Sequence, residues 1–180
     1  MKYLLYCLLL VTEVVLANPS INERETTYPI YGSTVQELRQ QMDQHGPRDQ
    51  MTQYNASTTW YVKWNYKLDE TSTSCRMAKT DIQVDILYYF PEWKNYPAAQ
   101  PVLRNKWDLT MQQLRAHERE HGNNGKRAGV AIKNTLSQLP AMSNCQLLQS
   151  QVNKSTSRII QHYHHADIEL DARTAHGVVS

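Results

Sequence analysis

The chain has 180 residues and a formal charge of +2, with 20% charged and 41% hydrophobic residues. That composition suits one globular domain with a real core. So slight a positive charge gives no reason to expect nucleic acid or an anionic membrane as a partner.

Residues 1–17 read as a signal peptide. Lys2 supplies the positive end, residues 4–16 the apolar stretch, and Val15, Leu16 and Ala17 a small-residue cleavage site before Asn18. The stretch is too short for a transmembrane helix, and no other segment could span a bilayer. The expected product is exported, periplasmic or secreted, with no stable membrane insertion. Cys7 leaves with the signal. Cys75 and Cys145 remain, and two cysteines in an oxidising compartment most often pair.

Residues 18–27 are polar and read as a flexible N-terminal segment. A short strand follows at 28–31. Thr34, three residues before Glu37, is a capping-box pattern that opens a helix. Val35, Leu38 and Met42 form its stripe, and Gly46-Pro47 ends it. After a polar loop, Thr58, Trp60, Val62, Trp64, Tyr66 and Leu68 alternate with wetter residues, the pattern of a strand with one buried face. Trp60 and Trp64 are expected in the core. Ile82, Val84, Ile86, Tyr88 and Phe90 alternate again and predict an antiparallel partner strand.

Pro91, Pro97 and Pro101 bound a connecting loop. Leu103, Trp107, Met111, Leu114, His117, His121, Ala128, Ile132, Leu136 and Leu139 then recur at helical spacing, and Pro140 stops the pattern. Gly122, Gly125 and Gly129 within it either admit another backbone closely or break the helix after His121. A second long helix is predicted over 144–172, with Leu148, Val152, Ser155, Ile159, Tyr163, Ala166 and Leu170 as its seam. The order of elements predicts an α+β domain over 28–180, a small antiparallel sheet packed against two long helices.

His117-Glu118-Arg119-Glu120-His121 is an H-E-x-x-H sequence on the first of those helices. Residues four apart lie on one helical face, so the two imidazoles can meet one zinc ion. Glu118 stands where its carboxylate can reach a metal-bound water, the arrangement of zinc-assisted peptide hydrolysis. Catalytic zinc needs a third protein ligand. The position six residues after His121, where metzincins have a histidine, is Arg127, so that route fails. Glu169, Asp167 or Asp171 could serve, as could His176 or the group His162, His164 and His165. Residue chemistry alone leaves the choice open.

The chain resembles a family of predicted secreted bacterial zinc-dependent proteases, catalogued mainly as a domain of unknown function. The likeness runs through Tyr31-Gly32-Ser33-Thr34, Thr59-Trp60 with Trp64, Cys75, Pro91-Glu92-Trp93, Trp107, the H-E-x-x-H segment and Cys145. It ends on Asp171-Ala172-Arg173-Thr174-Ala175-His176-Gly177, similar to the family's D-x-x-T-x-H-G signature. The resemblance implies His176 as third ligand, with Asp171 or Thr174 as partners that fix an imidazole.

The expected function is that of an exported zinc peptidase. Glu118 would act as general base, taking a proton from the water that attacks a peptide, a protein or a cell-wall peptide cross-link. The alternative is a secreted zinc-binding module without hydrolytic activity. A carboxylate beside the first ligand argues against it.

Overall fold

A computed structural model describes residues 18–49 and 52–177; the expected signal peptide lies outside the described residues. The order of elements is β1 (Ser20–Ile30), α1 (Val35–His45), β2 (Ser57–Glu70), β3 (Cys75–Trp93), α2 (Pro101–Ser137) and α3 (Cys145–Thr174). The three strands form one sheet in the order β1-β3-β2. The fold is α+β, a small sheet packed against helices.

β2 and β3 form the expected antiparallel hairpin, from Ser57 opposite Tyr89 to Glu70 opposite Cys75, with a register shift between Lys67 and Leu68. The Thr71 hydroxyl accepts from the Ser74 amide at 3.0 Å and closes the turn. The alternation seen in the sequence holds: Trp60, Val62, Ile82, Val84, Ile86, Tyr88 and Phe90 are buried together in one cluster. β3 is longer than its apolar pattern, because residues 76–81, all but Ala78 paired with β2, add only the half-buried Met77 to the core. Pro91 fits inside β3 because β2 ends its pairing at Tyr89, so Pro91 has an open edge on that side.

Residues 18–27, expected to be flexible, are instead mostly strand. From Ser20, β1 pairs with β3 up to Ile30 opposite Trp93, and it runs parallel to β3. The sheet is therefore mixed rather than wholly antiparallel. α1 lets the chain reverse between β1 and β2, and the hairpin reverses it again, so β3 repeats the direction of β1. Only Tyr28 and Ile30 of β1 are buried. The rest of the strand is held through its backbone ladder and through polar side chains, among them Glu23 with Tyr88 and Lys126 and Glu25 with Arg115, which leave no hydrophobic trace in the sequence.

α1 begins as predicted, with the Thr34 hydroxyl accepting from the Glu37 amide and the Glu37 carboxylate accepting from the Ser33 amide. α2 runs unbroken through its glycines, which serve close approach. A Cβ on Gly122 would collide with the Tyr88 hydroxyl, one on Gly125 would meet the Trp60 side chain at 2.8 Å, and one on Gly129 would collide with Val84. The glycine stripe thus lets α2 settle directly on the sheet. α3 packs along α2 and buries Leu148, Val152, Thr156 and Leu170.

Cys75 and Cys145 form a disulfide that ties the start of β3 to the start of α3. The bridge closes a loop with a sequence separation of 70 residues. Chain entropy then predicts about 4 kcal/mol of stabilisation. Chemical denaturation of a Cys75→Ser, Cys145→Ser double variant is expected to show a loss of that order. An unchanged midpoint would show that the bridge contributes nothing.

Candidate metal centre

Two helices face one another at the centre. His117 and His121 project from α2 one turn apart, and Asp167, Asp171 and Thr174 project from the same side of α3. The Nε2 atoms of the two histidines are 3.1 Å apart, and each lies 3.1 Å from Asp171 Oδ1. Among the described residues, these three form a group whose ligand atoms could hold a metal ion.

The far nitrogens of both rings are fixed. His121 Nδ1 donates to Asp167 Oδ1 at 2.9 Å, and His117 Nδ1 donates to the Thr174 hydroxyl at 3.1 Å. That hydroxyl has spent its own proton on the Leu170 carbonyl at 2.8 Å, so it can only accept from His117. Both rings therefore carry their proton on Nδ1 and turn the Nε2 lone pair inward. Two lone pairs and a carboxylate oxygen in a 3.1 Å triangle repel one another unless a proton or a metal cation sits among them. Ligand atoms around tetrahedral zinc lie roughly 3.3 Å apart, given Zn–N distances of about 2.0–2.1 Å. The donor set fits a divalent metal.

Asp167 is the anchor of this arrangement. Besides His121, it accepts from Trp60 Nε1 at 2.8 Å and from Asn124 Nδ2 at 2.8 Å. Burial would raise its pKa, but these donors outweigh burial and hold the carboxyl below its usual range. Burial would lower the pKa of His121, yet the bond to Asp167 and the charges of Asp171 and Asp167 lift it above its ordinary value. Burial, with His121 beside it, pulls the pKa of His117 down, and the charge and hydrogen bond of Asp171 offset this only in part. Asp167→Asn is expected to weaken metal affinity roughly 10- to 100-fold, as loss of a ligand-orienting carboxylate does. Competition with a chromophoric chelator would measure it, and an unchanged affinity would remove Asp167 from the centre.

Glu118 is 4% exposed. Burial raises its pKa, and a 2.7 Å bond from the Thr58 hydroxyl to Oε2 opposes that rise in part. The same hydroxyl lies 3.0 Å from the Glu118 carbonyl, so its one proton is shared between two acceptors of this residue. Glu118, the two histidines, Asp171 and His176 line a cavity of about 180 Å³ together with Tyr54, Ser57 and Thr58.

His176 stands beside the donor group rather than in it. Its ring is at the rim, with the side chain 46% exposed, Nδ1 3.4 Å from Asp171 Oδ1, and an edge contact to Tyr54. Asp171, expected as an outer partner, supplies the third donor atom of the group, while Thr174 occupies the outer position foreseen for it. Glu169 pairs with His165 on the exposed side of α3, and neither lines the cavity. His162 packs on Tyr163 and His164 on Trp60, also away from the cavity. Arg127 pairs with Glu120 at 2.7 Å and reaches Asn124.

Thr58, Trp60 and Asn124 had no assigned role in the sequence beyond strand and core. One signal was available: Asp167 and Asp171 are four apart on α3, as His117 and His121 are on α2.

Fold and site together define a small α+β protein with a two-histidine, one-aspartate cluster able to hold a metal. The model of a family described as "Bacterial protein of unknown function (DUF922)" matches residues 25–177, and the chain belongs to that family. No curated protein and no solved structure matches it.

Proposed function

We propose that this chain is an exported zinc-dependent peptidase whose metal ligands are His117, His121 and Asp171 and whose general base is Glu118. The observation that carries the reading is the inward triangle of Nε2, Nε2 and Oδ1 atoms with a buried carboxylate next to it. Zinc held there would supply Lewis acidity to a water and to a peptide carbonyl.

The protein's own groups do the rest. Glu118, its pKa raised by burial, accepts the proton of the attacking water and returns it to the leaving amine. Thr58 keeps that carboxylate aimed into the cavity. β2 is an edge strand, and its first residues, Ser57 and Thr58, line the cavity. An extended peptide can add to that free edge by backbone pairing and so bring a carbonyl to the centre. The Cys75–Cys145 disulfide suits an oxidising compartment, in keeping with export. Among the described residues, no helix is long and apolar enough to cross a membrane.

The test is to purify residues 18–180, measure bound metal and assay a broad peptide panel with and without chelator. Zinc at about one ion per chain and chelator-sensitive hydrolysis are expected. Zinc without hydrolysis would leave a metal-binding module, and absence of any bound metal would reject both.

A further inference from the structure

We infer that a second, larger cavity beside the metal centre selects the substrate, by taking a bulky apolar side chain next to the cleaved peptide bond. This rests on the peptidase reading and adds a substrate class to it.

The cavity has a volume of about 400 Å³ and lies between α1 and the first half of α2. Leu38 and Met42 from α1, with Trp107 and Leu114 from α2, give it a buried apolar lining. Its ionisable lining residues, Arg39, Asp43 and Lys106, are all exposed and of both signs. A charged side chain entering it would shed water without a buried partner, which is unfavourable. An apolar one would gain from leaving water. The size falls within the roughly 300–1,000 Å³ of pockets that enclose organic groups.

Three separate segments form the wall between this cavity and the metal centre. Gly177 lines the larger cavity and lies flat on the His117 ring, where a Cβ would come within 2.9 Å of the ring carbon. Its φ of 69° places it in the left-handed region that glycine tolerates. Asn55 lines the larger cavity, while its neighbours Tyr54 and Ala56 line the smaller one. Leu114 precedes His117 and Glu118 by about one turn of α2. A peptide with its carbonyl at the metal centre therefore has the apolar cavity within reach of an adjacent side chain. α1 contributes no residue to the metal cavity, so this wall gives its buried face a place in the working of the site.

The experiment profiles cleavage by the metal-loaded chain on peptides varied at each position flanking the cut. Leu, Phe or Met at one position is expected to be favoured over Ala, Asp or Lys by roughly tenfold or more. Thr110→Trp, which intrudes on the cavity from α2 outside the metal centre, should abolish that preference and leave cleavage of Ala-containing peptides intact. Val35→Trp, on the opposite wall, is the second variant should the first fold poorly. A profile unchanged in both would overturn the inference and leave the peptidase reading standing.

A second arm needs no hydrolysis. N-acetyl-leucinamide, and not N-acetyl-alaninamide, should shift the indole resonance of Trp107. Such binding without any peptide cleavage would support the cavity and its ligand class and defeat only the peptidase reading. Failure of both amides to bind, or binding that appears only after residues 178–180 are removed, would overturn the inference; the latter would assign the cavity to the chain's own end.

Discussion

Glu118→Gln is expected to keep its metal and lose hydrolysis by roughly 10²- to 10⁴-fold, the range over which positioned general bases act. The substitution preserves shape, and the amide oxygen can still accept the Thr58 hydroxyl that now reaches Oε2. Residues in the donor triangle are untouched, so metal content measured by elemental analysis should match the wild type. What the variant lacks is a site for the proton of the attacking water. Full activity in Glu118→Gln would reject the assignment of the base, whatever the metal content. Loss of metal together with activity would show instead that Glu118 belongs to the ligand set.

The H-E-x-x-H segment was legible because helical spacing and residue chemistry are both local. The same holds for the β2–β3 hairpin, whose period-two alternation survives in the structure from Trp60 to Tyr66 and from Ile82 to Phe90. β1 was only partly legible, since Ser20 to Thr27 are exposed and are held to β3 by backbone groups and polar side chains rather than by an apolar face. The glycines of α2 were ambiguous in sequence, because only the identity of the facing side chains, Tyr88, Trp60 and Val84, separates close approach from a break.

The third donor was the least legible part, for a geometric reason. It depends on how α3 is rotated about its axis and slid along α2, which no local pattern encodes. Once α3 is docked, successive residues turn by about 100°, so Asp167 and Asp171 share a face that Glu169 cannot join. Glu169 accordingly finds His165 in solvent. His176 follows the end of the helix, where Ala175 and His176 both adopt positive φ, at 47° and 57°. That left-handed turn carries the His176 ring to the rim, towards Tyr54.

Asp171→Asn and His176→Ala are expected to separate on metal affinity, and the order of their effects decides the ligand set. Asp171 Oδ1 is equidistant, at 3.1 Å, from both inward nitrogens and is the one anionic atom in the triangle. An amide at that position keeps the size but gives up the negative charge that offsets a divalent ion. Removing an outer partner costs roughly 10- to 100-fold in affinity, so removing this donor should cost more than that, at least 100-fold by chelator competition. His176, half in solvent and 3.4 Å from Asp171, is expected to behave as an outer partner, with a loss no greater than about 100-fold. A His176→Ala variant that loses its metal while Asp171→Asn keeps it would reverse the assignment. It would also mean that the turn at 175–177 tightens on the ion to bring His176 inward, with Asp171 serving as the acceptor that orients it.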